Sequence, residues 1–186
     1  MKTFIYLSIT FFLSIVACKP GDMEVNSTQE TTSIDKPSMD IHTAILSNNI
    51  EVVKQHIEAG SDLNVKEPMG GSTPLISAST FNRIEIAEAL INAGVDLNIK
   101  NKDGSTALHT AAFFTRIEIL QLLINANADK TIKNNFGATP QETVMGDFAQ
   151  VKPIYEMMIM QLKPLGFELN LEEVEKARPV VKLMLQ

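Results

Sequence analysis

The sequence predicts an all-α protein, a helical solenoid of about four helix-turn-helix units with short β-turn fingers and a helical C-terminal cap. Three observations predict it. The stretch from Thr73 to Ser105 is repeated position for position by the stretch from Thr106 to Ala138, with Thr73 on Thr106, Asp96 on Asp129 and Gly104 on Gly137. Thr139 lies 33 residues beyond Thr106, as Thr106 lies 33 beyond Thr73. Within the units, Ile84, Ile86, Ala87, Leu90 and Ile91 fall on one stripe of a helix, and Ile117, Ile119, Leu120, Leu123 and Ile124 repeat that stripe. A fixed period of this size means stacked units, none of which can bury its apolar face alone.

Composition bounds the rest. The chain has 186 residues, 45% of them hydrophobic, 20% charged and 6% aromatic, which suits one globular domain with appendages. The net charge of -6 argues against a broad surface for nucleic acid or anionic lipid. A single cysteine excludes an intrachain disulfide and any thiolate zinc cluster.

The N-terminus reads Met1-Lys2, an apolar run from Thr3 to Val16, then Ala17-Cys18. This is a charged n-region, an h-region and a small-residue cleavage site, and the run is short for a roughly 30 Å hydrocarbon core. Ile15-Val16-Ala17-Cys18 resembles the bacterial lipoprotein box. The resemblance implies that 1–17 is a signal peptide and that Cys18 is the mature N-terminus, lipidated on its sulfur, so the protein is tethered to a membrane without spanning it. Lys19 in place of aspartate implies outer-membrane sorting in the bacterial envelope, with the periplasmic or surface face left open. Residues 18–39 are polar and offer little to bury, which predicts a flexible linker holding the domain a few nanometres off.

The repeats are expected over 40–162. The first unit carries Ile41-His42-Thr43-Ala44, Glu51-Val52-Val53-Lys54 and Gly60-Ser61-Asp62-Leu63-Asn64, at an offset of 34 whose extra residue lengthens the Pro68-Met69-Gly70-Gly71 turn. The second has Thr73-Pro74-Leu75-Ile76-Ser77-Ala78, a helix from Ile84 to Ile91, and Gly94-Val95-Asp96-Leu97-Asn98. The third has Thr106-Ala107-Leu108-His109-Thr110-Ala111-Ala112, a helix from Ile117 to Ile124, and Asn127-Ala128-Asp129. A fourth begins at Thr139-Pro140 and then departs. Gly60, Gly94 and Asn127 close the second helices in the left-handed region, and Asn48 and Asn82 do the same between helices. Thr115 is β-branched, so the third unit is expected to bend differently there.

These units resemble the ankyrin repeat, with its Thr-Pro-Leu-His-x-Ala-Ala helix, its Val-Val-x-Leu-Leu helix and its Gly-Ala-Asp-x-Asn loop. The resemblance implies a protein-binding module whose recognition face is built from finger tips and the exposed ends of the first helices. The positions carried across are Leu46 and Ser47, Thr80 and Phe81, Phe113 and Phe114, with fingers at Met69, Lys102, Asp103, Asn135 and Phe136. Phe81, Phe114 and Phe136 are the expected anchors of a partly aromatic groove for another protein. The competing expectation is that these rings pack between helices or lie under the C-terminal tail.

Beyond the repeats, Phe148, Val151, Ile154, Tyr155, Met158 and Leu162 have helical spacing, with Pro153 expected in or near the first turn. Lys163-Pro164-Leu165-Gly166 breaks that helix. Asn170 with Glu173 signals a last helix bearing Leu171, Val174, Val181 and Leu185, interrupted or kinked at Pro179. Residues 163–186 are therefore expected to cap the stack.

No catalytic constellation emerges. His42, His56 and His109 are too dispersed for a metal motif, and His109 takes the repeat's histidine position, where the resemblance implies hydrogen bonds between loops. Ser47, Ser79 and Ser105 lack a nucleophile elbow, Gly70-Gly71 lacks a phosphate-loop signature, and Glu172, Glu173 and Glu175 are ordinary helix-start acids. The sequence points to a monomeric, non-enzymatic scaffold or inhibitor, without cofactor or metal, that binds another protein while anchored by lipid. The alternative is an immunity factor that blocks a toxic enzyme.

Overall fold

The computed structural model describes residues 36–186; the expected signal peptide, Cys18 and nearly all of the linker lie outside the described residues. Three helix pairs follow one another: α1 (Ile41–Leu46) with α2 (Ile50–Glu58), α3 (Pro74–Thr80) with α4 (Ile84–Asn92), and α5 (Ala107–Phe113) with α6 (Ile117–Asn125). First helices pack on first helices and second on second, so the pairs form two parallel rows. The described residues contain no strands.

Local chemistry starts each helix where the spacing expects it. The Thr73 and Thr106 hydroxyls accept the N–H groups of Ile76 and His109, and the Asp40 carboxylate accepts those of His42 and Thr43. Pro74 takes the first helical position, where its missing N–H costs nothing. The middle helices are buried nearly all round, and Ala78, Ala111 and Ala112 let them approach closely. On the second helices Ile86, Ala87 and Leu90, then Ile119, Leu120 and Leu123, are fully buried, while Ile84, Ile91, Ile117 and Ile124 pack at the margin.

The backbone enters the left-handed region at Asn48 (φ 54°), Asn82 (φ 54°) and Asn127 (φ 62°), as expected. Thr115 overturns its expectation. Its φ is 52°, and its loop does not bend differently. Its N–H donates to the Ala112 carbonyl at 3.1 Å and that of Arg116 to Ala111 at 2.9 Å, matching the bonds of Asn48 and Asn49 to Ile45 and Ala44. Tertiary packing of α5 and α6 fixes the turn, and the β-branched side chain bears the steric cost.

The fourth unit ends early. Only a 3₁₀ turn, Glu142–Val144, follows Thr139, and the chain then forms α7 (Phe148–Leu162), a second 3₁₀ turn (Lys163–Leu165) and α8 (Leu171–Met184). α8 packs against α6 and the Glu142–Val144 turn, the place of a fourth second helix, and Val181 and Leu185 join the repeat core. α7 belongs with this cover, so the cap expected at 163–186 is larger than that. Gly166, at φ 81°, turns the chain between the two helices. Asn170 caps α8 by accepting the N–H groups of Glu172 and Glu173.

Both prolines lie inside helices. α7 begins at Phe148, which puts Pro153 inside the helix and not in its first turn. α8 runs through Pro179 uninterrupted. Each proline is exposed, as are Ala149 and Glu175, so the carbonyls deprived of an N–H face water.

Replacing Thr115 tests the strained turn. Thr115→Asn keeps the geometry of the two earlier units and removes the β-branch, so it should stabilise the fold by about 1 kcal/mol in urea unfolding. An unchanged or lower midpoint would contradict strain at this position.

Candidate interaction face

The fingers are built from one position used three times. The Glu67 carboxylate accepts the N–H groups of Met69 (2.6 Å), Gly70 (2.6 Å) and Ser72 (2.9 Å). Asn101 Oδ1 accepts those of Asp103 (3.0 Å) and Ser105 (2.9 Å), and Asn134 Oδ1 those of Phe136 (3.0 Å) and Ala138 (3.1 Å). The first finger is one residue longer, and the longer glutamate fills it. Those three N–H bonds outweigh burial and hold the Glu67 carboxyl below its ordinary range.

Neighbouring fingers are tied in register. The Lys102 N–H donates to the Gly70 carbonyl and the Asn135 N–H to that of Asp103, each at 2.9 Å. Lys102 Nζ donates to the carbonyls of Pro68 and Met69 at 2.7 Å, and Asn135 Nδ2 to that of Lys102 at 2.9 Å. Gly104 makes this closeness possible: its φ is 73°, and a Cβ there would lie 2.8 Å from the Asn135 nitrogen. At the base, the Asn64 and Asn98 side-chain carbonyls accept the N–H groups of Asp96 and Asp129, both at 3.0 Å.

His109 anchors the third finger. Its Nδ1 accepts the Thr106 N–H at 3.2 Å, which leaves the proton on Nε2 to donate to the Ala138 carbonyl at 3.0 Å. Burial holds its pKa below the ordinary histidine value. His56 does comparable work in the first unit, bonding Ser61 Oγ at 3.0 Å and the Met39 carbonyl at 2.9 Å.

The aromatic part of the expected face is covered. Phe114 is 3% exposed. It meets Phe167 edge-on with centroids 5.1 Å apart, and Phe167 reaches on to Phe81 at 6.1 Å. Phe113 stacks on Tyr155 at 4.4 Å, and the Tyr155 hydroxyl donates to the Phe113 carbonyl at 2.7 Å. Phe114 is therefore a packing residue beneath α7 and the segment after it, with Phe81 and Phe113 half-buried against the same cluster, so the anchor role expected of Phe81 and Phe114 and the face position expected of Phe113 are withdrawn. Apolar rings at the ends of the first helices are the natural seat for the chain's own tail.

Two basic residues pin that tail, and the sequence reading passed over both. Arg116 Nη2 donates to the Thr80 carbonyl at 3.2 Å and the Glu168 carbonyl at 2.9 Å, with its guanidinium between the Phe114 and Phe167 rings. Burial, and then the charge of Arg83, pushes its pKa down to about 10. Arg178, itself buried, donates from Nη2 to the Gly146 carbonyl at 2.7 Å and from Nη1 to the Tyr155 hydroxyl at 3.3 Å. One signal was present for Arg116: Arg83 holds the same position 33 residues earlier and likewise donates to the Leu46 carbonyl, at 3.1 Å.

What remains open is the row of finger tips. Met69 is 88% and Phe136 79% exposed, and Asp103, at the equivalent tip, stands exposed between them. Lys102 and Asn135 spend their polar atoms on neighbouring fingers and so position this row. Small polar residues, Thr43 and Ser47, stay exposed on the first helix of the first unit.

A family model described as ankyrin repeats (3 copies) matches residues 41–134, half of the chain. Among curated proteins none matches the sequence. Among solved structures the chain is similar to the crystal structure of the ankyrin repeat domain of Bcl-3, a unique member of the IkappaB protein family. The identity is 28% over 55% of this chain and 45% of that one, with a TM-score of 0.54. The chain thus spans less than half of that domain's length.

Two substitutions separate cover from face. Phe114→Ala should destabilise the fold by about 3–5 kcal/mol, whereas Phe136→Ala should stay within about 0.5 kcal/mol of the parent in urea unfolding. Comparable losses would return Phe136 to the core. The His109 pair makes stability depend on pH. Its depressed pKa means that the unfolded chain takes up the proton first, so this contribution is complete above about pH 6.5 and declines as pH falls towards the folded pKa. His109→Gln should flatten that decline, and an identical pH profile in the variant would show that His109 does not cause it.

Proposed function

The chain belongs to the ankyrin-repeat family, and we propose that it is a protein-binding scaffold or inhibitor that presents its finger row while tethered through Cys18 to a bacterial envelope membrane. The family is one of protein–protein interaction modules, and its fold is a binding scaffold, typically non-enzymatic. The lipoprotein-like segment Ile15-Val16-Ala17-Cys18 supports the tether, and Lys19 supports the outer membrane as its address.

The observation that carries the binding reading is the pair of isolated apolar tips, Met69 and Phe136, held out by side-chain and backbone hydrogen bonds with Asp103 between them. Stacked helix pairs repeat at roughly 8–10 Å, so the two tips lie roughly 20 Å apart. An extended segment of about six residues spans that distance at about 3.3 Å per residue. The segment that fits has apolar side chains near its ends and a basic or neutral centre facing Asp103. The face is preorganised, so little ordering cost opposes binding. The membrane tether raises the effective concentration against envelope partners, which lets a small contact suffice.

Crosslinking in the native envelope tests this. The lipidated chain should capture a protein partner, and Met69→Asp with Phe136→Asp should weaken capture by at least about thirtyfold, one strong hot spot's worth, without changing the unfolding midpoint. Undiminished capture by the double variant would remove the finger row from the interface, and recovery of lipid alone would sink the binding reading. Cys18→Ser should release the chain from the membrane fraction.

A further inference from the structure

α7 has two apolar faces, and the fold uses one. Phe148, Val151, Tyr155, Met158, Ile159 and Leu162 pack on the aromatic cluster around Phe114. At 3.6 residues per turn, Ile154, Met157 and Met160 lie on a separate arc with Ala149 and Pro153, and the exposed amides of Gln150 and Gln161 fall between Met157 and Ile154. Met160 is 72% exposed, and Ile154, Met157 and Leu165 are each about half exposed. No charge falls on this arc. Lys152, Glu156 and Lys163 gather along one edge of the helix, between the buried face and the open one.

We propose that this open face of α7 is a membrane-contact surface, which seats the domain on the bilayer to which Cys18 holds it. The proposal rests on the tether. Taken as the flexible linker that its composition predicts, Lys19 to Asp35, between Cys18 and the first described residue, would reach roughly 20–25 Å and keep the domain within range of the headgroups. At that effective concentration a patch too weak to bind vesicles alone is held in contact. No described helix is long and apolar enough to cross a membrane, so the contact is interfacial. Unbranched methionines adapt to a fluid surface, and Lys152 and Lys163 can extend from the edge of the face to headgroup phosphates.

A second copy fits less well, because four side chains fall far short of the roughly 800 Å² per partner that a stable dimer buries. The net charge of -6 gives an anionic bilayer no electrostatic pull on the chain as a whole. Contact through α7 is therefore an apolar event that persists on zwitterionic lipid and at high salt.

The chain contains no tryptophan and a single cysteine, which makes the test clean. The chain from Cys18 onward, which keeps every described residue, is coupled through Cys18 to a maleimide phospholipid and reconstituted in phosphatidylcholine vesicles with brominated acyl chains. Single probes are Met157→Trp, Met160→Trp and, on α8, Leu183→Trp, an exposed site outside the proposed face. The two α7 probes should shift to the blue and lose most of their fluorescence, unchanged by added salt, while the Leu183 probe stays unquenched. Three outcomes overturn the α7 contact: no quenching on α7, equal quenching at all three sites, or a blue shift without lipid that grows with protein concentration, the mark of a second copy. Mass spectrometry of Cys18 from cells decides the tether separately; an unmodified thiol overturns that premise, whatever the conjugate does.

Discussion

The open end of a repeat stack must be covered, and in this chain the elements of the cover meet at one shared phenol, the Tyr155 hydroxyl on the Phe113 carbonyl with Arg178 behind it. The Phe113 carbonyl lies in the last turn of α5, where no further helical N–H exists to satisfy it. Tyr155 supplies that donor from α7 and Arg178 reaches the same phenol from α8, so one hydroxyl joins three elements. Arg178 has no carboxylate beside it; a carbonyl, a phenol and the Phe148 ring 5.7 Å away carry the solvation it lost. Burial raises the Tyr155 pKa, with Arg178 opposing, which keeps the phenol a donor throughout the physiological range. Removing either partner strands a buried polar group, which costs more than the bond itself contributes.

The same economy of charge runs along the whole stack. Lys66, Lys100 and Lys102 donate to carbonyls one repeat away, Lys130 to the end of α8, and Arg83 and Arg116 to the first helix of the preceding unit. Among the described residues the one ion pair found is Lys54 with Glu51, both well exposed. A carbonyl is a directional acceptor fixed to the backbone, so each bond sets the register between units, which an exposed ion pair does weakly. The carboxylates, left without cationic partners, define the displayed charge, and this is why Asp103 stands free between two apolar tips whose lysine neighbour is already bound.

Periodicity carried most of the fold. A 33-residue spacing with Thr, Gly and Asn at fixed offsets is local information, and the helices, caps and left-handed turns followed from it. Thr115 marks the limit of residue-by-residue reasoning, since the packing of α5 and α6 sets its backbone whatever its side chain prefers. The face was less legible. Nothing near Phe114 in sequence says whether it meets water, because what covers it, Phe167, lies 53 residues on and arrives through a non-repeating tail. The tips at Met69 and Phe136 were readable because they belong to the period; the tail's route was not, because no repeat supplies its register. The open face of α7 was hidden for a related reason, since a helix apolar on two sides reads as a core helix until one side is seen to have no neighbour.

The two apolar surfaces left outside differ in kind, and that difference assigns them different tasks. Met69 and Phe136 are single side chains on rigid polar turns, the first held by the Glu67 carboxylate and the second by the Asn134 amide. Such points can enter pockets on a shaped partner, but they cannot shelter the polar turns that carry them from hydrocarbon, where polar groups are costly. The α7 strip has the opposite character. Its backbone is satisfied within the helix apart from the gap at Pro153, its apolar side chains are flexible, and the polar groups on it are the two uncharged amides of Gln150 and Gln161. An uncharged strip on a mobile set of side chains gives a protein partner little specificity, which needs rigidly placed polar groups, while a bilayer asks for none. Burying the phenylalanines under the tail thus leaves a chain whose specific contacts and unspecific ones sit on separate elements, so that neither needs to be released for the other to form.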